Sequence, residues 1–209
     1  MVITTIFILI VLLFSIIIHE IAHGSIAFTL GDPTAKDSGR LTLNPLKHLD
    51  PFGSVILPLV LFFSYFLSGT AGPIVGWAKP VPINPYNFRD QKWGTLKVAV
   101  AGPAINFLIA LIFGLIIRFI SLPQSLLIFF SIITVYNFVW GIFNLVPVPP
   151  LDGSHILFSF LPERFSNVKN FLQQYGLFIL IFFIFFGLNW IYLGAMFLYA
   201  LVTGQPLTI

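Results

Sequence analysis

The chain has 209 residues, of which 58% are hydrophobic and only 8% are charged, whereas soluble domains carry about 25% charged residues. This composition excludes an ordinary soluble domain and predicts an all-α polytopic membrane protein with about four to six membrane segments. The net charge of +3 is too small to indicate a nucleic-acid partner, and the absence of cysteine excludes disulfides and cysteine-ligated metal sites.

The first predicted element is an apolar run, Val2–Leu30, which is long enough to span a bilayer. It carries an H-E-x-x-H sequence made by His19, Glu20 and His23. A charged side chain at the centre of a membrane helix costs roughly 2.5–3.5 kcal/mol, so such residues usually face the protein interior and mark a functional site. The two histidines lie on one helix face and can hold one metal ion, and Glu20 can then act as general base toward a water molecule.

The next stretch is polar and turn-rich, and it contains one short apolar segment. Ser54–Leu67 is too short to decide whether it spans the membrane or re-enters it. Gly69–Arg89 contains several prolines and glycines and cannot form a regular helix. A short strand is a further expectation at Arg40–Leu43. Non-helical backbone near a membrane is tolerated where protein or a water-filled cavity satisfies its polar groups.

Two further spans are predicted at Thr95–Ile120 and Leu126–Phe143. The second runs into a proline-rich break that ends in Asp152. Two closing apolar segments then predict a helical hairpin over about 171–203, and the sequence leaves open whether this region crosses the membrane once or twice. All 209 residues are interpreted as a single intramembrane domain, whose core covers about 2–161.

The basic residues predict an orientation in the membrane. If Ser54–Leu67 makes no net crossing, nine of the ten Lys and Arg residues lie on one face and only Arg118 lies opposite. The positive-inside rule then places the N-terminus outside and the basic loops in the cytoplasm. In this arrangement His19 and His23 lie in the inner half of the membrane, and Asp152 follows the third span on the same side.

A third metal ligand is needed, because a catalytic zinc site takes three protein ligands and keeps one open position. The candidates in apolar surroundings are Asp152 and His155. An Asp-Gly pair after prolines is by itself an ordinary turn. In combination with His19 and His23, the ligand interpretation of Asp152 is preferred. Two imidazoles and one carboxylate suit zinc and also other divalent metals.

Three motifs now stand in order on membrane segments: H-E-x-x-H, then A-G-P-x-x-N at Ala101–Asn106, then N-x-x-P-x-P-x-L-D-G at Asn144–Gly153. Together they resemble the site-2 protease family of intramembrane zinc metalloproteases. The chain is similar to the short prokaryotic type without a PDZ domain. The resemblance implies a prokaryotic plasma-membrane location and a fold with a re-entrant loop, which Gly72–Pro85 matches and which can pair with an extended substrate.

Carried over residue by residue, the resemblance implies His19, His23 and Asp152 as ligands of one zinc ion per chain. Glu20 matches the catalytic base, and Asn144 matches an asparagine that contacts substrate near the metal.

Two positions have less certain roles. Asn106 matches another intramembrane polar position with a substrate-side role, and it equally suits a helix-packing contact. His155 departs from many relatives, which carry a basic residue there, often arginine. It is either a hydrogen-bond partner of a ligand or a loop residue, and the loop is favoured.

The predicted function is that of a zinc metalloendopeptidase that cleaves transmembrane segments, as in regulated intramembrane proteolysis. Its partners would be the lipid bilayer and a membrane protein whose helix unwinds readily. One alternative is a membrane metal-binding protein or divalent-ion transporter, but only Glu20 and Asp152 supply acidic groups in apolar segments. Another is a catalytically silent relative that binds helices, against which the intact Glu20 argues.

Overall fold

The computed structural model describes residues 2–68 and 79–205. The described residues form seven α-helices: α1 Val2–Thr29, α2 Thr34–Asp37, α3 Leu57–Ser68, α4 Gln91–Phe119, α5 Gln124–Asn144, α6 Asp152–Phe160 and α7 Ser166–Thr203. A π-helical turn and three 3-10 turns connect them: Pro51–Ile56, Pro45–Lys47, Pro85–Asn87 and Glu163–Phe165. The strand expected at Arg40–Leu43 does not form. Residues 41–43 bend, and Thr42 Oγ1 accepts a hydrogen bond of 3.2 Å from Asn44 N–H, which closes a local turn in place of a strand.

Within the described parts of the chain, four helices are long and apolar enough to cross a membrane, and they lie in α1, α4, α5 and α7. The prediction of an all-α polytopic membrane protein is therefore confirmed, at the lower end of the expected number of segments. Helix α3 has 12 residues and is not among the four. Residues 79–84 of the predicted loop have no regular secondary structure, Asn84 has an extended backbone, and residues 72–78 lie outside the described residues.

The predicted closing hairpin is wrong. Residues 166–203 form one continuous helix of 38 residues, about 57 Å long. Gly187 and Asn189 lie at the expected turn, but an isolated glycine costs a helix only about 1 kcal/mol. Breaking the helix within a bilayer would instead leave several backbone groups without hydrogen bonds, and each of these costs several kcal/mol. The unbroken helix is therefore the cheaper structure.

Helix α4 is the centre of the bundle and packs against α1, α5, α6 and α7. One core cluster joins α4, α5 and α7 through Ala110, Phe138 and Ala195. The small alanines allow close helix approach, which drives association in membranes, where apolar burial alone gives little. A buried hydrogen bond of 2.8 Å between Ser131 and Tyr199 also joins α5 to α7.

The chain after α1 is tied to the loop before α4 by one carboxylate. Asp32 is fully buried and accepts hydrogen bonds from Thr34, from the backbone N–H of Asn84 at 2.7 Å and from Asn87 Nδ2 at 2.7 Å. Burial alone would raise the pKa of Asp32, but these hydrogen bonds hold the pKa of its carboxyl below the ordinary value. Asp32 thereby fixes the 79–89 segment against the end of α1.

Candidate active site

Three potential metal ligands converge where α1 meets the start of α6. Asp152 Oδ2 lies 3.0 Å from His19 Nε2 and 3.2 Å from His23 Nε2, and the two imidazole nitrogens are 3.0 Å apart. The histidines are almost fully buried. The structure therefore brings together the three residues that the sequence predicted as ligands, although Asp152 is more than 120 positions away along the chain.

The geometry of this triangle fits a metal ion. Four ligands at 2.0–2.1 Å from zinc in a tetrahedron lie about 3.3 Å from one another, close to the three distances observed. Asp152 Oδ2 is also buried without a hydrogen-bond partner among the described residues, although two nitrogens lie within reach. A buried carboxylate oxygen in this state is costly, and a bound cation would remove the cost.

The other nitrogen of each imidazole determines which nitrogen faces the cluster. His23 Nδ1 lies 2.7 Å from the backbone carbonyl of Val98, and a carbonyl only accepts, so Nδ1 carries the hydrogen. His19 Nδ1 lies 2.7 Å from Asn106 Oδ1 and donates to it in the same way. Both Nε2 atoms are then free of hydrogen in the neutral rings and present lone pairs to Asp152. Such outer partners orient metal-binding histidines in general.

Both histidines rest on one face of α4, along residues 98, 102 and 106. Since these positions are four apart, they form one row that runs antiparallel to the histidine pair on α1. Gly102 lies between the two hydrogen-bonding positions. A Cβ atom built there would lie 2.5 Å from His19 Cε1 and 2.6 Å from His19 Nε2, and closer still to His23 Nε2. The glycine is what allows the helices to approach this closely.

Asp152 reaches the cluster through the proline-rich turn after α5. It is the first residue of α6, so its side chain projects from the start of a new helix. Gly153 packs directly onto the backbone of Leu145 and Val146, and a Cβ atom at this position would collide with their carbonyls. The tight turn explains why glycine follows the aspartate.

Glu20 lies beside the cluster and is held by a loop. Its Oε2 accepts a hydrogen bond of 2.8 Å from the backbone N–H of Val81. Pro80 and Pro82 have no N–H, so Val81 supplies the only backbone donor at these three positions. Among the described residues, no hydrogen bond is made to the other carboxylate oxygen, Oε1.

These groups line a cavity of about 390 Å³. Asn144 lines it as well, with one amide hydrogen donated to Trp140 O at 3.0 Å. His155 lines it from α6, so the expectation that His155 is a loop residue is wrong: the helix already begins at Asp152. Asn106 is fully buried behind His19 and is not among the lining residues, so its position does not offer substrate contact.

Sequence reasoning missed three groups that position the site: Gly102, Val81 and Asn137. Asn137 Oδ1 accepts a hydrogen bond of 2.9 Å from Asn106 Nδ2. An amide in the middle of an apolar span was a usable signal, because polar groups at that depth are costly. Neither the role of Gly102 nor the Val81 contact had such a signal, since both depend on how distant segments meet.

The family model described as peptidase family M50 matches residues 121–186. YwhC of Bacillus subtilis, a zinc metalloprotease by name, is 36% identical over 179 residues, which cover 81% of this chain and 76% of YwhC. The chain belongs to peptidase family M50. The predicted family and enzyme class, a membrane-embedded metallopeptidase, are thereby confirmed.

Other relatives of this M50 peptidase are more distant. Rip2 of Mycolicibacterium smegmatis is 28% identical over 177 residues, which cover 81% of this chain and 62% of Rip2. MJ0392 of Methanocaldococcus jannaschii is 27% identical over 92 residues, which cover 43% of this chain and 27% of MJ0392. Both are named as zinc metalloproteases, and the chain spans less than two thirds of either. No solved structure matches the chain significantly.

Proposed function

We propose that this M50 peptidase is a zinc-dependent endopeptidase that cleaves transmembrane segments of other membrane proteins, as in regulated intramembrane proteolysis. The observation that carries the proposal is the triangle of lone-pair atoms from His19, His23 and Asp152 next to Glu20, at one cavity among membrane-spanning helices. The three residues would hold one zinc ion. The names of the relatives support zinc as the metal.

Zinc bound there would polarise the scissile carbonyl and lower the pKa of a water molecule toward about 7. Glu20 would then remove the proton of the attacking water through Oε1 and pass the proton to the leaving amine. The Val81 N–H keeps the Glu20 carboxylate in place while Oε1 exchanges the proton. Asn144, which lines the same cavity, holds the backbone of the substrate beside the cluster.

The substrate must unwind before it is cut, because the peptide bonds of a transmembrane helix are hydrogen-bonded internally. The non-helical 79–84 segment contributes Pro80, Val81 and Ile83 to the cavity wall, and an unwound substrate could pair with it. Most of its backbone N–H groups already donate hydrogen bonds: that of Lys79 to the His48 carbonyl, that of Val81 to the Glu20 carboxylate and that of Asn84 to the Asp32 carboxylate. Pairing through this stretch would therefore use mainly its carbonyls.

The orientation in the membrane is part of the proposal. The N-terminus would lie outside and the basic loops in the cytoplasm of a prokaryotic cell. Because the chain has no cysteine, single cysteines can be introduced at Ser121 and Ser166. An impermeant maleimide added to intact cells should label only the cysteine at position 121. Labelling of the cysteine at position 166 alone would show that the chain has the opposite orientation.

The decisive experiment compares the native chain with Glu20→Gln, reconstituted with a single-span membrane substrate. Glu20→Gln should abolish cleavage and retain one zinc ion per chain, because the ligands are intact. His19→Ala and Asp152→Ala should lose both zinc and cleavage. Normal cleavage by Glu20→Gln, or full zinc content in Asp152→Ala, would refute these roles.

The native chain and Glu20→Gln can also be compared to identify the substrates and to distinguish a protease from a transporter. Membrane proteomes of cells that carry the native chain or Glu20→Gln should differ in helices retained only with the variant, and these helices would be the substrates. Metal flux into vesicles that persists in Glu20→Gln, without any cleavage by the native chain, would instead indicate a transporter.

A further inference from the structure

We propose that Asn137 is a positioning residue of the metal site, which acts on His19 through Asn106 and raises the affinity of the chain for zinc. The proposal rests on the zinc site proposed above. Asn137 lies on α5 and touches neither the cavity nor the three potential ligands. Its effect would be carried by a chain of hydrogen bonds that crosses from α5 through α4 to α1.

The donor-to-acceptor direction of these hydrogen bonds is determined at Asn137, the residue farthest from His19. Asn137 Nδ2 lies 2.9 Å from the backbone carbonyl of Ile133, which only accepts, so the nitrogen must point there. Asn137 Oδ1 therefore points toward α4 and accepts from Asn106 Nδ2 at 2.9 Å. Asn106 Oδ1 is left facing His19 Nδ1 at 2.7 Å. The hydrogen of His19 must then be on Nδ1, and Nε2 is free to bind a metal.

Asn137 contributes the stronger of two anchors on Asn106. The other acceptor for Asn106 Nδ2 is the Ser15 carbonyl, at a longer distance of 3.3 Å. Asn106 and Asn137 are 0% and 1% exposed, so bulk water does not reach them to replace a lost bond. Without Asn137, the Asn106 amide would keep only its weaker anchor, and the ring of His19 would gain freedom to rotate.

The neighbouring polar residues of α5 are satisfied elsewhere. Thr134 is fully buried and donates to the Phe130 carbonyl of its own helix, and Ser131 pairs with Tyr199 on α7. Neither has a contact toward His19 in the described part of the chain. Thr134→Val is therefore a matched control: it removes a buried polar group from the same helix without touching the path to His19.

The test measures zinc dissociation constants of the full chain in detergent by competition with a chromophoric chelator. Asn137→Leu, which has nearly the same shape but no polar atoms, should weaken zinc binding about 10-fold, the lower end for loss of an outer hydrogen-bond partner. Thr134→Val should bind zinc as the native chain does. Asn137→Asp keeps an oxygen that accepts from Asn106, so its affinity should lie closer to native than that of Asn137→Leu.

A second readout separates positioning from folding. Cobalt(II) replaces zinc in such sites, and its visible spectrum reports ligand geometry, so Asn137→Leu should shift that spectrum and Thr134→Val should not. If Asn137→Leu does not fold, Asn137→Ser takes its place, because a serine hydroxyl is too short to reach Asn106. Equal affinities for Asn137→Leu and Thr134→Val, or equal losses for Asn137→Leu and Asn137→Asp, would overturn the proposal.

The outcome for His19→Ala distinguishes this proposal from the zinc site itself. If the native chain binds no zinc, or if His19→Ala binds it as tightly as the native chain does, the proposed function fails. If His19→Ala abolishes binding while Asn137→Leu binds normally, the site stands and only the role of Asn137 is wrong.

Discussion

Replacing Gly102 by alanine adds one methyl group at the point where α4 touches both histidines. That methyl would lie 2.5 Å from His19 Cε1 and 2.6 Å from His19 Nε2, whereas non-bonded carbon contacts are about 3.5–4.0 Å. The His19 ring must therefore move by about 1 Å, and the His23 ring must move as well. Metal–ligand distances tolerate only about 0.2 Å, so the shift exceeds the tolerance about fivefold.

Neither histidine ring can move away from α4 without stretching a hydrogen bond. His19 donates to Asn106 and His23 donates to Val98 O, and both acceptors lie on the same helix as Gly102. Moving the rings away from α4 stretches these two hydrogen bonds, and separating α1 from α4 loosens their packing. Overpacking of this kind costs about 1–3 kcal/mol in stability, which is comparable to the roughly 2.8 kcal/mol that a 100-fold loss of zinc affinity represents.

The assay for Gly102→Ala is zinc content and affinity, measured beside cleavage of a membrane substrate. Affinity should fall by at least about 100-fold, the upper end for a displaced outer partner, because here the ligands themselves move. Gly194→Ala is the control: it also adds a methyl group inside a helix, but among the described residues its Cβ would meet only Ile142 Cδ1, at 3.5 Å. Native zinc affinity and cleavage in Gly102→Ala would refute the reasoning from contact distances.

Three further outcomes are expected. Asp32→Asn should destabilise the chain by about 2–3 kcal/mol at pH 7, because buried donors lose a charged acceptor. Since the folded-state pKa of Asp32 is lowered, this loss of stability should be complete above the unfolded-state pKa of about 3.9 and should shrink as the pH falls further. Thermal unfolding of both chains at several pH values measures it. Asn144→Ala should lower kcat/KM about 10-fold with zinc content unchanged, and loss of zinc would contradict a substrate role. Chelation should lower the unfolding temperature of the native chain and leave that of His19→Ala unchanged, because bound metal stabilises only a chain that holds it.

The residues proposed as metal ligands could be predicted from the sequence because ionisable side chains in an apolar run have few alternative explanations. His19, Glu20 and His23 stand out for that reason, and the distribution of basic residues then brings Asp152 to the same side of the membrane. The same argument applied to Asn137 would have indicated it, since it lies in the middle of a predicted span.

The remaining features depend on tertiary contacts that no local pattern encodes. Gly102 lies in a motif, but its contact with two imidazoles follows from the crossing of α1 and α4. The continuity of α7 through Gly187 depends on the bilayer, where an unpaired backbone group costs more than a glycine within a helix. His155 was expected in a loop because the helix after Asp152 has only nine residues, too few to show a clear period.

Two of the groups that orient the site belong to the main chain: the carbonyl of Val98 and the N–H of Val81. Most substitutions of either side chain leave these backbone groups in place. A mutational screen for lost activity should therefore find few inactive variants at positions 81 and 98. Such a screen would report Gly102 and Asn106 and would underestimate how much of the orientation is supplied by backbone. Proline at position 81 is the exception, because it alone among the twenty residues deletes the N–H that holds Glu20.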